Sequence, residues 1–226
     1  MNIALILASG YGTRMGQAEY PKQFLDVDGL PLMLISTTTF QNHPQIDEIY
    51  IVTNEEYISL VKEWIDDYQL TKVKAVVPGG ITRLESVRNG LYAIEADQDD
   101  IVLIHDSARA LVSEEIITDN ILECYKYDAV VTVLPATDTI VTSKSDIIEE
   151  MPNRSELYVE QTPQTFKYGL ICQAHELYNG KEEVTDDCKL VYLLGYDIHF
   201  VRGSKKNFKI TTKEDLLLLK QLMKDK

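Results

Sequence analysis

The sequence predicts a single α/β domain, built as a mostly parallel, twisted sheet flanked by helices. Two observations support this prediction. Short apolar runs typical of buried strands alternate with longer segments of helical periodicity through residue 134. The length of 226 residues suits one large domain with a substantial core. Strands that alternate with helices favour parallel pairing, because each helix returns the chain to the same end of the sheet.

The alternation can be followed element by element. Pro31 opens a first helix, Asn54 is placed to cap a second, and Ser113 is placed to cap a later one. Predicted strands cover residues 3–8, 46–53, 72–77, 100–105 and 129–134. The intervening helices cover 31–40, the segment after Asn54, the segment from the Gly-rich turn through Glu95, and the segment after Ser113. Units of this kind predict an open, Rossmann-like sheet.

The alternation breaks after residue 134. Residues 136–160 contain two β-rich runs around a polar turn at 143–146, which predicts a protruding β-arm. An isolated hairpin is only marginally stable in water, so we expect the arm to pack on a partner surface. The remaining segments predict helices at 167–178 and 186–194, strands at 197–202 and 208–210, and a last helix capped by Thr212. We therefore expect one domain over residues 1–226, with the arm at about 136–160.

Composition limits the classes of partner. A formal net charge of −14 argues against a broad nucleic-acid or anionic-membrane surface, so isolated cations beside motifs favour a small anionic ligand. Cys124, Cys172 and Cys188 are widely spaced, which predicts reduced, structural thiols with neither a disulfide framework nor a zinc site. The amino terminus lacks the features of a signal peptide, and no apolar run is long enough for a membrane span; we expect a cytoplasmic protein.

The first predicted strand runs into a glycine-rich loop that carries two cations. Gly10, Gly12 and Gly16 let the backbone approach a ligand closely, while Arg14 and Lys22 can make charge-assisted contacts with it. The segment lacks the Lys-Ser/Thr pair of a P-loop and has methionine where a dinucleotide-binding fingerprint requires its third glycine. A plain surface loop is the alternative, but the two cations favour a polyphosphate site.

Further clusters follow other predicted strands. Gly79 and Gly80, with Arg83 and Ser86, form either a plain helix entry or a pocket in which backbone groups and a hydroxyl recognise a nucleobase. Asp106 ends a buried strand, where it either caps the next loop or binds Mg²⁺, an ion that takes one or two carboxylates together with substrate phosphates. Because the carboxyl ends of parallel strands meet at one edge, we expect these groups to converge.

No acid–base or nucleophilic constellation is visible. His105 ends an apolar strand and is predicted to be a packing histidine, since no Ser/His/Asp or metal-binding H-x-x-x-H pattern accompanies it. Nucleotidyl transfer needs mainly positioning and electrostatic stabilisation of the transferred phosphorus. Arg14, Lys22, Lys209 and a Mg²⁺ on Asp106 would suffice for it.

Five motifs occur in order along nearly the whole chain: L-A-S-G-Y-G-T-R-M-G with P-K-Q-F, P-G-G-x-x-R with S-V, H-D-S-A-R, Q-T-P-Q-T-F and N-F-K-I-T-T-K-E-D-L. Together they resemble the cytidylyltransferases that act on polyol phosphates, enzymes with a type A nucleotidyltransferase fold. The resemblance implies that CTP and a polyol phosphate react with Mg²⁺ to give a CDP-polyol and pyrophosphate, through in-line attack of the substrate phosphate on the α-phosphorus.

The resemblance also implies roles for the matching residues. The implied catalytic residues, which would contact the triphosphate, are Arg14, Lys22 and Lys209. The implied nucleotide-binding residues are Ala8, Ser9, Gly10, Gly12, Gly80, Ser86 and Asp106, of which Asp106 would also engage Mg²⁺. The implied polyol-phosphate-binding residues are Arg109, Thr139 and Arg154. In the family the arm swaps across a homodimer, so Arg154 would act in the other subunit.

The choice of polyol depends on the arm and on the segment T-D-D-C-K-L. These are more similar to the branch that acts on ribitol 5-phosphate, which predicts CDP-ribitol for teichoic-acid or capsule synthesis. The related branch that acts on 2-C-methyl-D-erythritol 4-phosphate in isoprenoid synthesis is one alternative. Ser9, Ile81 and Ala110 depart from the usual pattern, and because Ala110 could shift the polyol side of the site, another pentitol phosphate is a second alternative. A sugar-nucleotide pyrophosphorylase of another class and a non-enzymatic nucleotide-binding regulator are competing hypotheses.

Overall fold

The computed structural model describes residues 1–10 and 21–224. The strands found there are β1 (Asn2–Ala8), β2 (Asp26–Val27), β3 (Leu30–Pro31), β4 (Glu48–Thr53), β5 (Val73–Pro78), β6 (Ile101–Asp106), β7 (Ala129–Pro135), β8 (Tyr158–Lys167) and β9 (His199–Arg202). The α-helices are α1 (Leu32–Asn42), α2 (Ile58–Asp67), α3 (Arg83–Ala93), α4 (Glu114–Tyr127), α5 (Tyr168–Leu177), α6 (Asp187–Leu193) and α7 (Lys213–Lys224).

Seven strands form one sheet in the order β5-β4-β1-β6-β8-β7-β9. β1 is parallel to both of its neighbours, β4 and β6, and the pairs β4–β5 and β7–β9 are parallel as well. Of these seven strands, β8 alone runs in the opposite direction, antiparallel to β6 and β7. The sheet is thus mostly parallel and flanked by helices, which confirms the predicted fold class.

β1 shows why both faces of the sheet are covered. Its residues alternate between two apolar clusters, with Ile6 in one and Leu5 in the other, and both side chains are fully buried. A strand buried on both faces is continuously apolar, and this is the signal by which the sequence revealed it. Gly90 of α3 allows close packing here, because a Cβ at that position would lie 2.6 Å from Leu5 Cδ1.

β8 is the strand that the sequence prediction missed, since the arm was expected to end at 160 and a helix to begin near 167. Its central residues are polar yet buried, so the strand lacks an apolar alternation. Other elements satisfy these side chains: Thr165 Oγ1, for example, donates to Asn120 Oδ1 at 3.0 Å. These hydrogen-bond partners are remote in sequence, and no local sequence pattern predicts them.

Of the helix caps predicted from the sequence, some are confirmed and one is wrong. Ser113 Oγ accepts the backbone N–H of Ile116 at 3.3 Å, and Thr212 Oγ1 accepts that of Asp215 at 3.2 Å, so both predicted caps are confirmed. The predicted cap at Asn54 is wrong. A short 3-10 turn at Glu55–Tyr57 precedes α2, and the Asn54 side chain makes no capping hydrogen bond.

The arm leaves the sheet between β7 and β8 and covers residues 136–157. The predicted hairpin is present as one isolated antiparallel bridge, between Thr142 and Glu150. Ile147, Ile148 and Met151 are 74%, 56% and 66% exposed, so the arm leaves its apolar side chains in solvent. Its predicted role in a homodimer stays a prediction.

The predicted strand at 208–210 is wrong, because this segment is a loop. Its backbone is held by the loop after β6 rather than by a sheet neighbour, with Ile210 N–H donating to Ala108 O at 2.8 Å. Ile210 is also buried in a small apolar cluster with Leu219 of α7. This loop holds Lys209 beside the end of β6.

Cys124, Cys172 and Cys188 are all free, and burial raises the pKa of Cys124 to about 12. Among the helices in the described part of the chain, none has the length and apolar character needed to cross a membrane.

Candidate active site

A cavity of about 290 Å³ opens at the carboxyl-terminal edge of the sheet, where β1, β5 and β6 end. The chain passes outward from β1 to β4 and β5 and then returns to β6 on the other side of β1. Ligands of open α/β sheets bind at such a reversal of strand order. The predicted site residues that line the cavity are Ala8, Ser9, Gly10, Lys22, Gly80, Ser86, Asp106 and Lys209.

Ser86 joins two loops at one wall of the cavity. Its hydroxyl accepts hydrogen bonds from Ser9 Oγ at 2.9 Å and from the backbone N–H of Gly80 at 3.1 Å, and it donates to Thr82 O at 2.9 Å. A Cβ at Gly79 would lie 2.6 Å from the Cβ of Ser9, so the Gly-Gly turn and the loop after β1 approach each other as only glycine permits.

The same turn also opens α3. Thr82 Oγ1 accepts the N–H of Glu85 at 3.1 Å, while the Glu85 carboxylate accepts the N–H groups of Ile81 and Thr82 at 2.7 and 3.1 Å. This capping box satisfies N–H groups that the first helical turn leaves unpaired. The turn is therefore a helix entry, as one alternative held, and it also lines the cavity. Recognition of a nucleobase there stays a prediction.

Asp106 lies between two cations. Its Oδ2 accepts from Lys209 Nζ at 2.6 Å, and its Oδ1 is 3.5 Å from Arg83 Nε. Burial raises the pKa of Asp106, but the charges of Arg83 and Lys209 outweigh burial and hold that pKa below its usual range. The carboxylate is therefore ionised at neutral pH.

A buried relay fixes the end of β6. The backbone N–H of Asp106 donates to Thr162 Oγ1 at 3.1 Å, and the same oxygen lies 3.0 Å from His105 Nδ1. His105 Nε2 lies 3.1 Å from Arg109 O, and a carbonyl can only accept, so Nε2 carries the proton and Nδ1 accepts from Thr162. Burial lowers the pKa of His105 to about 4, which keeps the ring neutral. His105 is a packing histidine, as predicted.

Lys22 and Lys209 lie on adjoining segments. Lys22 Nζ donates to Ile210 O at 2.6 Å, next to Lys209 in the chain. The neighbouring Gln23 is buried, and its Nε2 donates to Ala8 O at 2.7 Å, which ties this segment to the end of β1. The two lysines are thus brought to the cavity from positions 187 residues apart in sequence (209 − 22 = 187).

Arg109 links three segments through its guanidinium group. Nη1 donates to Asn207 O at 3.0 Å and Nη2 to Glu160 O at 3.2 Å, while Nε is buried without a hydrogen-bond partner. Burial lowers the pKa of Arg109. The residue thereby holds the loop that carries Lys209 against β8. Polyol-phosphate binding by Arg109 stays a prediction.

The arm residues lie apart from the cavity. Thr139 and Arg154 are exposed and do not line it, and Arg154 Nη1 donates to Thr137 O at 3.2 Å within the arm. Their expected action in a second subunit stays a prediction. Gly12 and Arg14 lie outside the described residues.

The sequence grouped Arg83 with the Gly-Gly turn without a role of its own, and it did not single out Asp187. Arg83 lines the cavity, and its Nη1 donates to Asp187 Oδ2 at 2.8 Å. The motif P-G-G-x-x-R contained a signal for Arg83, because a cation at the first residue of a helix, beside a candidate anion site, is unusual in so acidic a chain. Asp187 had no such signal, since its partner lies 104 residues away.

The donor set fits a magnesium ion in one respect. Among the described residues that line the cavity, Asp106 has the only carboxylate, and it is ionised. Magnesium commonly takes a single protein carboxylate and completes its shell with substrate phosphates and water. Asp106 is thus the residue that would hold it, in exchange for part of its contacts with Lys209 and Arg83.

Comparison with known proteins identifies the family. The family model described as "IspD: 2-C-methyl-D-erythritol 4-phosphate cytidylyltransferase" matches residues 2–225. A protein of that name from Geotalea uraniireducens is 41% identical over 224 residues, covering 98% of this chain and 96% of the relative. Another, from Thermosipho melanesiensis, is 41% identical over 221 residues, covering 97% and 96%.

Solved structures agree with this match. The crystal structure of 4-diphosphocytidyl-2C-methyl-D-erythritol synthase from Anaerococcus prevotii superposes with a TM-score of 0.87 at 31% identity, covering 99% of this chain and 96% of that one. The Thermus thermophilus 2-C-methyl-D-erythritol 4-phosphate cytidylyltransferase gives a TM-score of 0.78 at 27% identity, covering 99% and 100%.

These findings correct the predicted substrate. The ribitol 5-phosphate branch was chosen on the arm and the T-D-D-C-K-L segment, and that choice is wrong, because the family model and the relatives at about 40% identity carry the methylerythritol name. Shared chemistry explains the error: both branches bind CTP and a phosphorylated polyol, so the anion-binding motifs do not distinguish them. The chain belongs to the IspD family, the 2-C-methyl-D-erythritol 4-phosphate cytidylyltransferases.

Proposed function

We propose that this protein transfers the cytidylyl group of CTP to 2-C-methyl-D-erythritol 4-phosphate, giving 4-diphosphocytidyl-2-C-methyl-D-erythritol and pyrophosphate. The observation that carries the proposal is the family match over residues 2–225, together with relatives that are 41% identical over nearly their whole length. The cavity at the carboxyl edge of the sheet supports it, because cations from several segments meet there around one ionised carboxylate.

The reaction is a displacement at phosphorus. An oxygen of the substrate's 4-phosphate attacks the α-phosphorus of CTP, a new P–O bond forms, and the bond from the α-phosphorus to the bridging oxygen of the β-phosphate breaks. Pyrophosphate leaves with that oxygen. Neither reactant must gain or lose a proton before the attack. The protein's task is therefore to position the two reactants and to stabilise charge.

The lysines are placed for this stabilisation. Lys22 and Lys209 adjoin each other at the cavity, and each is held by a named partner, Lys22 by Ile210 O and Lys209 by Asp106. Fixed cations that need no rearrangement during the reaction stabilise a transition state better than mobile ones. We assign Lys22 and Lys209, with Arg14, to the contacts with the triphosphate.

The nucleotide is assigned to the wall formed by Ser9, Gly10, Gly80 and Ser86, where backbone and hydroxyl groups can read a base. Magnesium, held by Asp106, would neutralise phosphate charge as a Lewis acid. Burial raises the pKa of Asp106, but the charges of Arg83 and Lys209 lower it further than burial raises it. The carboxylate is therefore available as a ligand at neutral pH.

For the polyol phosphate we propose Arg109, Thr139 and Arg154, the last two contributed by the arm of a second subunit. The exposed apolar side chains of the arm support this, because apolar side chains left in solvent gain stability by packing on another surface. A homodimer in which each arm reaches the partner's cavity would complete two sites.

The test is a substrate panel. Purified protein with Mg²⁺ is given CTP and, separately, 2-C-methyl-D-erythritol 4-phosphate, ribitol 5-phosphate or arabinitol 5-phosphate, and pyrophosphate release is measured. We expect turnover with the methylerythritol substrate and at least about 100-fold lower kcat/KM with either pentitol phosphate, because a site built for one polyol leaves buried polar groups unpaired with another.

Controls separate the competing activities. UTP, GTP and ATP replace CTP in parallel, and EDTA replaces Mg²⁺. Equal turnover with all four nucleotides, or pyrophosphate release from UTP with a sugar 1-phosphate, would contradict the proposal. Binding of CTP without any release of pyrophosphate would indicate a nucleotide-binding regulator instead.

A further inference from the structure

Asp187, the first residue of α6, lies buried behind the cavity wall that Arg83 forms. Both of its carboxylate oxygens are engaged: Oδ2 accepts from Arg83 Nη1 at 2.8 Å, and Oδ1 lies 3.1 Å from His175 Nε2. Its backbone N–H donates to Gln164 Oε1 at 3.0 Å. With 0% exposure and all of these partners, the carboxylate has one well-defined position.

The pair formed by Asp187 and Arg83 is ionised. Burial raises the pKa of Asp187, but the charge of Arg83 and the hydrogen bond from His175 outweigh it and lower that pKa. Burial also lowers the pKa of Arg83, while Asp187 and Asp106 outweigh burial and raise it. His175 Nδ1 is buried without a partner, which puts the proton on Nε2, where it donates to Asp187.

A buried ion pair of this kind is weak evidence for a role in stability, because apolar side chains of similar volume stabilise a core as well or better. The pair therefore invites a different explanation. Asp187 does not line the cavity, whereas Arg83 does, with a side chain that is 29% exposed. What Asp187 determines is the direction of the Arg83 guanidinium.

That direction matters because Arg83 has a second carboxylate within reach. Its Nε lies 3.5 Å from Asp106 Oδ1, a long contact, while Nη1 is held on the other side by Asp187. Nη2 makes no hydrogen bond to any described residue. Without Asp187 the guanidinium could close on Asp106 in the bidentate geometry that Arg and carboxylates prefer.

We propose that Asp187, oriented by His175, is a positioning residue that holds the Arg83 guanidinium away from Asp106 and keeps its Nη2 donor available to an acceptor on the bound nucleotide. The inference rests on the proposed function, in that the ligand of the cavity is taken to be CTP. Asp187 acts only through Arg83, and this dependence makes the idea testable.

The test is a double-mutant cycle with Asp187→Asn, Arg83→Met and the double variant, measured as KM for CTP, kcat and CTP affinity by calorimetry. Loss of one hydrogen bond to a charged group corresponds to about a tenfold change in affinity. We expect Arg83→Met and Asp187→Asn each to raise KM for CTP by about that factor. The double variant should be no worse than Arg83→Met alone.

The matched control is Asp186→Asn, the same isosteric change one residue earlier. Asp186 caps α6 by accepting the N–H of Lys189 at 2.9 Å, and it makes no hydrogen bond to Arg83. We expect its KM for CTP to stay within about twofold of the unmodified protein, since Asn is an equally good cap. A change as large as that of Asp187→Asn would overturn the proposal.

Removing half of a buried ion pair can prevent folding, so Asp187→Glu provides a second variant. It retains the buried charge and moves the carboxylate by one methylene; we expect a higher KM for CTP, with a smaller fall in melting temperature than in Asp187→Asn. Independent, multiplicative effects of Asp187→Asn and Arg83→Met, or an unchanged KM in Asp187→Glu, would refute the positioning role.

Failure of the proposed function is a separate outcome. If the unmodified protein does not turn over CTP with 2-C-methyl-D-erythritol 4-phosphate, the function is wrong. Calorimetric CTP affinities across the same cycle then decide the inference by themselves: coupled losses support it, and additive losses or none overturn it.

Discussion

The carboxyl edge of the sheet and the arm differ in how their side chains are held. At the edge, each described charged group has a fixed partner: Lys209 binds Asp106, Arg109 binds two backbone carbonyls, and Arg83 binds Asp187. The arm has one isolated bridge, and its apolar side chains are exposed.

The difference separates two kinds of functional residue. Groups at the edge are positioned by the fold of one chain, so their geometry can be read directly from it. In the proposed function, Thr139 and Arg154 act on the cavity of a second subunit. The edge groups, Arg109 among them, are already fixed within one chain, and only the arm residues would be added on assembly.

The largest effect is expected at the edge, from Lys209→Ala. Loss of a fixed cation that stabilises the transition state lowers kcat by about 10²–10³-fold. Pyrophosphate release at saturating CTP measures it. Lys213→Ala, at an exposed lysine four positions later, is the control and should retain full activity. A change confined to KM would place Lys209 in ground-state binding and contradict its assignment as catalytic.

The next effect is expected in the arm, from Arg154→Ala. Because the arginine is predicted to serve the partner's cavity, its loss should lower kcat/KM for the polyol phosphate by about 100-fold, the scale on which a misplaced substrate loses rate. Mixing this variant with Lys209→Ala should restore about a quarter of the unmodified activity, since half of randomly paired dimers regain one intact site. No recovery after subunit exchange would mean that the arm acts within its own chain.

A smaller effect tests the close approach of two loops at the edge. Gly79→Ala puts a Cβ 2.6 Å from that of Ser9, so one loop must shift. We expect a loss of about 1–3 kcal/mol in the free energy of unfolding, together with a higher KM for CTP. Gly10→Ala is the matched control for stability, because a Cβ there has no neighbour within 4 Å among the described residues. Equal melting temperatures for the two variants would show that the approach is not tight.

The smallest effect is expected for Ile147→Ser in the arm. At 74% exposure this side chain contributes little within one chain, so the free energy of unfolding of the monomer should change by no more than about 0.5 kcal/mol. The dimer, measured by analytical ultracentrifugation, should weaken. A large loss of monomer stability would show that the arm packs on its own chain.

Much of the fold could be predicted because its signals are local. Apolar runs in the sequence predicted five strands, β1, β4, β5, β6 and β7. The caps at Ser113 and Thr212 could be recognised from a few adjacent residues. β8 could not be predicted in this way. Its buried residues are polar and are satisfied by partners such as Asn120, which lies 45 positions earlier.

The candidate site divides along the same line. Gly80, Ser86 and Asp106 were recognisable because they stand in motifs at strand ends, and the topology brought them to one cavity. Asp187 could not be recognised from the sequence, because an aspartate at the start of a helix is commonly a capping residue. Its contact with Arg83 is seen only in the structure. The substrate was missed for a related reason, because recognition of a polyol depends on shape more than on motifs.

By itself, the sequence determined the alternation of strands and helices through β7, the acidic character of the chain and membership of a cytidylyltransferase group. These follow from periodicity and from short motifs, in which the interacting residues are neighbours in the chain. Only the tertiary structure decided that β8 enters the sheet in reverse, that Lys209 bonds to Asp106, and that Arg83 is held between two carboxylates. Those contacts join residues separated by many tens of positions, and their energies depend on burial and orientation that exist only once the sheet has formed.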